Sequence, residues 1–172
     1  MNPRIWIKEI QFSDNSTIEF EKDDTIVFVG PNNAGKSATV KEASNSLNNR
    51  NLKSKVINSI TFEKEGSQVD LTSFLEEISK KEFSTNPEPY YSGLGYRVYG
   101  GHLNNWWSNI NNGVSDLTDV FSKSLSTEER LTAANPAENI KLTKDSPRHP
   151  INLLQKFESI EAQFSNYFKQ AF

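Results

Sequence analysis

Apolar residues dominate the opening of the chain. Ile5, Trp6, Ile7 and Ile10 predict a first strand. The cluster Ser13-Asp14-Asn15-Ser16 predicts a turn, and alternation in Thr17-Ile18-Glu19-Phe20 predicts a second strand folded back as a hairpin. Lys22-Asp23-Asp24 then leads into Thr25-Ile26-Val27-Phe28-Val29, a β-branched and aromatic run that reads as a buried third strand. From Ala38 the period changes. Val40, Ala43 and Leu47 recur at helical spacing and predict a helix with one apolar face, ended by Asn48-Asn49-Arg50-Asn51.

Val56 to Phe62 predicts a strand. Leu71, Phe74, Leu75 and Ile78 predict an amphipathic helix with Glu76, Glu77, Lys80 and Lys81 on its wet side, before a break at Asn86-Pro87-Glu88-Pro89. Tyr96-Arg97-Val98-Tyr99 predicts a strand closed by Gly100-Gly101. The Asn-rich stretch from Leu103 to Ser115 predicts no definite element, and Asp116 to Ser126 suits either a strand or a short helix. Ala133 to Pro150 has little periodicity and reads as a connector. Leu153, Leu154, Phe157, Ile160, Phe164, Tyr167, Phe168, Ala171 and Phe172 form a final helical stripe, with Pro150 where a first turn accepts it. The expected organisation is a lobe over 1–125, a connector over 126–150 and an amphipathic helix over 151–172.

Candidate chemistry lies between the third predicted strand and the first predicted helix. Gly30 to Ser37 reads GPNNAGKS and fits G-x-x-x-x-G-K-[ST], a phosphate-binding loop in the strand–loop–helix context that its mechanism requires. Gly30 and Gly35 allow a tight turn and close backbone approach. Successive N–H groups from Gly30, Pro31, Asn32, Asn33, Ala34 and Gly35 onward (proline excepted) make an anion-binding concavity backed by a helix N-terminus. Lys36 is expected to reach the β- and γ-phosphates, and Ser37 to offer its hydroxyl to Mg²⁺. Ala38 follows at the edge of the site. The expected cofactors are therefore ATP and Mg²⁺, and the fold class is α/β.

Bulk composition narrows the partners. The chain has 172 residues and a formal charge of −3, so it carries no global basic signature of nucleic-acid binding. It has no cysteine, which excludes disulfides, thiol catalysis and Cys-based zinc sites. No signal-peptide h-region opens it and no apolar run reaches membrane-span length, so a cytoplasmic location is expected and a membrane is not.

The opening strand pair, TIVFVG and GPNNAGKS resemble the start of the ABC/SMC/RecF-type ATPases, and Pro-Asn-Asn-Ala is more typical of RecF, OLD-nuclease and bacterial defence ATPases. The segments TEERLTAANP (Thr127 to Pro136) and HPINLLQKFESIEAQFSNYFKQAF resemble N-terminal lobes of large AAA-family defence ATPases. The resemblance implies a P-loop NTPase fold of ABC-head type with an N-terminal β-hairpin region, here the N-terminal part of an incomplete core. It implies ATP-driven closure of two heads, in antiviral defence or DNA repair, with a second head as partner and an effector nuclease or other protein as a further one. Lys36 and Ser37 keep their roles. Two departures stand out: Ala38 replaces a Ser or Thr that contacts the α-phosphate, shifting that contact to Thr39 or removing it. Gln11-Phe12-Ser13 stands where the family has Asn-Phe-Arg.

Hydrolysis needs a strand-end carboxylate pair. Asp70, Asp116 and Asp119 each lack the preceding apolar strand, and Ser92-Gly93-Leu94-Gly95 reads as a turn rather than a signature loop. The chain therefore reads as an N-terminal piece of a longer ATPase, inactive alone. A self-contained small kinase is the enzymatic rival, but its phosphate-clamping arginines would have to come from the scattered Arg50, Arg97, Arg130 and Arg148. A non-hydrolysing, nucleotide-dependent scaffold is the other rival. His102 and His149 read as loop histidines rather than metal ligands. Trp106 and Trp107, like Tyr90 and Tyr91, read as packing or interface residues, with base stacking as the alternative. Gln68, Gln155 and Gln163 are candidates for a magnesium-sensing glutamine.

Overall fold

The computed structural model describes residues 2–48, 55–110, 115–123, 125–141 and 143–171. It is mixed α and β, with two small antiparallel sheets among the described residues. Backbone contacts divide it into two units, Met1–Leu71 with His102–Lys123, and Thr72–Gly101 with Ser124–Phe172.

In the first unit, β1 (Arg4–Phe12) and β2 (Thr17–Glu19) form the expected hairpin, pairing Ile10 with Ile18. Asp14 fixes its turn by accepting from the Ser16 amide and hydroxyl at 2.9 and 2.5 Å. On its other edge β1 pairs antiparallel with β3 (Ile57–Glu65), which overlaps the strand expected from Val56 to Phe62 and extends it to Glu65. Ile10, Ile60 and Phe62 are buried from this sheet. The register slips between Gln11 and Phe12, and Ile57 is buried three positions from Ile60, off the strict alternation.

Thr25–Val29 is not a strand. The segment has no sheet partner, Val27 is 72% and Val29 85% exposed, and none of its backbone groups bonds within the described residues. A run apolar on both faces becomes a strand only between neighbours that pair its backbone and cover it. Sheet order β2-β1-β3 supplies none to these residues.

The helix after the loop, α1 (Lys36–Asn48), forms as expected. Its inward stripe differs, because Val40 is exposed while Thr39 is buried and Glu42, Ala43 and Ser46 are half-buried. Of the expected stop at Asn48 to Asn51, Asn48 is the last residue of α1, and 49–51 lie outside the described residues. The Asn-rich stretch contains α3 (Leu103–Ser108), and Thr118–Phe121 forms the short helix α4 after a 3-10 turn at Ser115–Leu117. Trp107 is their centre. It is buried, its Nε1 donates to Gly66 O at 3.2 Å, and its ring lies 6.0 Å from Phe121. Lys64 crosses that ring and donates to the Trp107 carbonyl, and desolvation lowers its pKa.

The helix α2 (Gln68–Ile78) starts in the first unit and continues into the second. Its buried Leu71 and Leu75 carry out the expected amphipathic pattern, but the helix ends at Ile78, so Lys80 and Lys81 lie in the following strand and not on its wet side. In the second unit β4 (Lys80–Glu82), β5 (Tyr90–Gly93) and β6 (Tyr96–Tyr99) form an antiparallel meander. Ser92–Gly95 closes the β5–β6 hairpin, with positive φ at Leu94 (47°) and Gly95 (90°), as a two-residue turn demands. Tyr91, Tyr96 and Val98 are buried, and the Tyr96 hydroxyl pairs with Ser79 Oγ at 2.8 Å. The helices α5 (Thr127–Ala133), α6 (Pro150–Lys156) and α7 (Glu158–Ala171) complete the unit. His149 Nδ1 accepts from the Ile151 amide and Asn152 Oδ1 from the His149 amide, so this histidine caps α6 with Pro150 in the first turn. Among the described residues no helix is long and apolar enough to cross a membrane.

Candidate functional site

The loop from Gly30 to Ala38 takes a shape that its sequence requires. Backbone φ is positive at Gly30 (153°), Asn33 (65°) and Gly35 (82°). Glycine reaches these angles at no steric cost, and asparagine is among the few other residues that visit them. Ala34 N bonds Pro31 O at 3.3 Å and closes a turn inside the loop. Past Gly35 the chain enters α1, whose first intrahelical bond runs from Thr39 N to Gly35 O at 2.8 Å. The amides of Lys36, Ser37 and Ala38 precede that bond and have no acceptor one turn back. They lie at the positive end of the helix dipole.

Asn32, Asn33, Ala34, Gly35, Lys36, Ser37 and Ala38 line an open cleft of about 650 Å³. Gly30 and Pro31 contribute carbonyls instead. Lys36 Nζ donates to Gly30 O at 2.8 Å and to Pro31 O at 2.7 Å, folding the ammonium back across the loop. Cation, amides and the Ser37 hydroxyl thus occupy one stretch of chain, a donor set suited to a polyanion with its magnesium ion. The lining contains no carboxylate.

Thr39, a candidate for the α-phosphate contact, is buried and its hydroxyl donates to Gly35 O at 3.1 Å. The hydroxyl therefore buttresses the loop from behind. Gln68 opens α2, and Gln155 and Gln163 lie exposed on α6 and α7. None of the three is among the cleft-lining residues. Arg130 is exposed on α5, Arg97 stacks over Tyr90 at 4.3 Å, and Arg148 pairs with Glu138 at 3.4 Å. Tyr90 also packs against Tyr99, and His102 meets Trp106 edge-on. Arg50 lies outside the described residues.

One residue near the loop had escaped the sequence pattern. Glu42 accepts from the amides of Lys55 at 3.0 Å, Val56 at 2.9 Å and Ile57 at 3.0 Å. It lies three residues after Thr39, which the structure buries, and so on the same helical face. Among the described residues, no three His, Asp or Glu side chains gather as a metal site. Comparison with family models, curated proteins and solved structures gives no match to this chain.

Proposed function

We propose that Gly30–Ala38 binds a magnesium–nucleoside triphosphate, and that the chain is the ATP-binding head of a P-loop ATPase of ABC/SMC type that works by pairing with a second head. The observation that carries this reading is the loop itself. The positive-φ residues Asn33 and Gly35, the leading residues of α1 and Lys36 line one open cleft, with Gly30 turning the chain into it.

Lys36 would exchange the carbonyls of Gly30 and Pro31 for the β- and γ-phosphate oxygens, and the amides of Lys36, Ser37 and Ala38 would hold the phosphates from the helix side. Ser37 would give Mg²⁺ one hydroxyl ligand, leaving phosphate and water oxygens to complete a hard-ion shell. Bound Mg²⁺ supplies charge neutralisation at the transferring phosphoryl group. Activation of water would need a carboxylate that the cleft lining lacks, so turnover would depend on Walker B and signature groups from outside that lining. Antiviral defence or DNA repair would be the setting of such a head.

Isothermal titration of the chain with ATP and Mg²⁺ tests this. Saturable binding that Lys36→Ala abolishes or greatly weakens supports it. No binding at millimolar MgATP, or binding indifferent to Lys36→Ala, sinks it.

A further inference from the structure

We propose that Glu42 is a positioning residue for the phosphate loop, clamping α1 to the start of β3 so that the loop amides keep their aim. The proposal rests on the nucleotide reading of Gly30–Ala38. Both oxygens of the Glu42 carboxylate are engaged, Oε1 by the Lys55 amide and Oε2 by those of Val56 and Ile57. Three converging bonds to one anion fix a direction as well as a distance. The clamped strap is itself tied down, because Val56 O accepts from Ser13 N at 2.9 Å, at the β1–β2 turn. One carboxylate therefore links the helix that carries the phosphate loop to both β3 and the hairpin.

The rest of the inward face offers little to replace it. Thr39 and Ser46, which flank Glu42 on that face, spend their hydroxyls on carbonyls within the loop and helix, Gly35 O and Glu42 O. At the far end of α1, Thr118 Oγ1 donates to Leu47 O at 3.1 Å. Without Glu42, the loop end of α1 loses its directional tie to the sheet and is free to roll about its axis. With a helix radius of about 2.3 Å, a roll of about 20° moves each Cα by roughly 0.8 Å and turns the leading amides by the same angle. Displacements of that order are costly wherever several donors must converge on one group.

The test measures MgATP affinity by titration calorimetry for the wild-type chain, Glu42→Ala, Glu42→Gln and Ser46→Ala, at a temperature where circular dichroism shows each folded. Glu42→Ala is expected to bind about tenfold more weakly, the scale on which loss of an orienting bond behind a ligand weakens a site. Glu42→Gln keeps one acceptor oxygen and should fall between, and Ser46→Ala should match wild type. Should Glu42→Ala fail to fold, hydrogen exchange on Glu42→Gln decides. Nucleotide-induced protection of residues 30–38 should drop, not only protection of Val56 and Ile57. Wild-type affinity in a folded Glu42→Ala, or unchanged loop protection in Glu42→Gln, overturns the proposal while leaving the nucleotide site standing. A wild-type chain that binds no MgATP removes both together.

Discussion

Lys36→Ala separates binding from folding. In the free chain the ammonium bonds two of the loop's own carbonyls, Gly30 O and Pro31 O, both at exposed positions. Water replaces it there, so unliganded stability should change by no more than about 0.5 kcal/mol. Binding is another matter. On the proposed nucleotide reading, the wild-type ammonium would leave neutral carbonyls for charged phosphate oxygens, a net gain on the scale of a charge-assisted hydrogen bond, roughly 1.5–3 kcal/mol. The alanine variant should therefore bind MgATP about 10- to 150-fold more weakly. A thermal-shift assay converts this into a contrast. At a nucleotide concentration near 100 times the wild-type Kd, the wild-type fold gains about 2.7 kcal/mol. A variant weakened about 100-fold gains only about 0.4 kcal/mol at the same concentration. Equal shifts for the two proteins would refute the assignment of Lys36. A large drop in the variant's unliganded Tm would refute the claim that its carbonyl bonds are dispensable.

Gly35→Ala should lower unliganded stability by about 1–2 kcal/mol from backbone strain alone, since φ is +82° and the added Cβ meets no atom within 4 Å. An unchanged denaturation midpoint would contradict that. Trp107→Ala should cost about 3–5 kcal/mol in urea titrations by emptying a buried site and stranding Gly66 O, and a loss under about 1 kcal/mol would displace Trp107 from the centre of its unit. Burial raises the Tyr96 pKa above its ordinary 10.0, with Ser79 only partly offsetting this. A raised folded-state value means that its stabilising contribution is complete below the ordinary tyrosine range and is lost as pH rises through the folded-state pKa. Ultraviolet titration should show Tyr96 ionising above the ordinary tyrosine range, and Tyr96→Phe should flatten the alkaline fall in Tm. Ionisation of Tyr96 within the ordinary tyrosine range would count against its burial.

Local rules were enough for the hairpin, the helix after the loop and the loop itself. A turn cluster at Ser13 to Ser16 needs only Asp14 and its neighbours, and GPNNAGKS places glycine or asparagine at each positive-φ position of the loop. These features depend on residues adjacent in the chain, so spacing and residue type determine them. Pairing and burial could not be read that way. Thr25–Val29 has the composition of an inner strand, yet without sheet neighbours it stays exposed. Val40 points outward, and the polar Thr39, Glu42 and Ser46 point inward, because α1 meets backbone amides at the start of β3 as well as apolar side chains. Trp107 became a core residue only when Gly66, Lys64 and Phe121 were folded against it. The sequence by itself specified a glycine- and asparagine-turned loop leading into a helix. Tertiary structure decided which groups hold that helix in place, since the partners of Glu42 come from the segment entering β3 and are backbone amides that no side-chain pattern reveals.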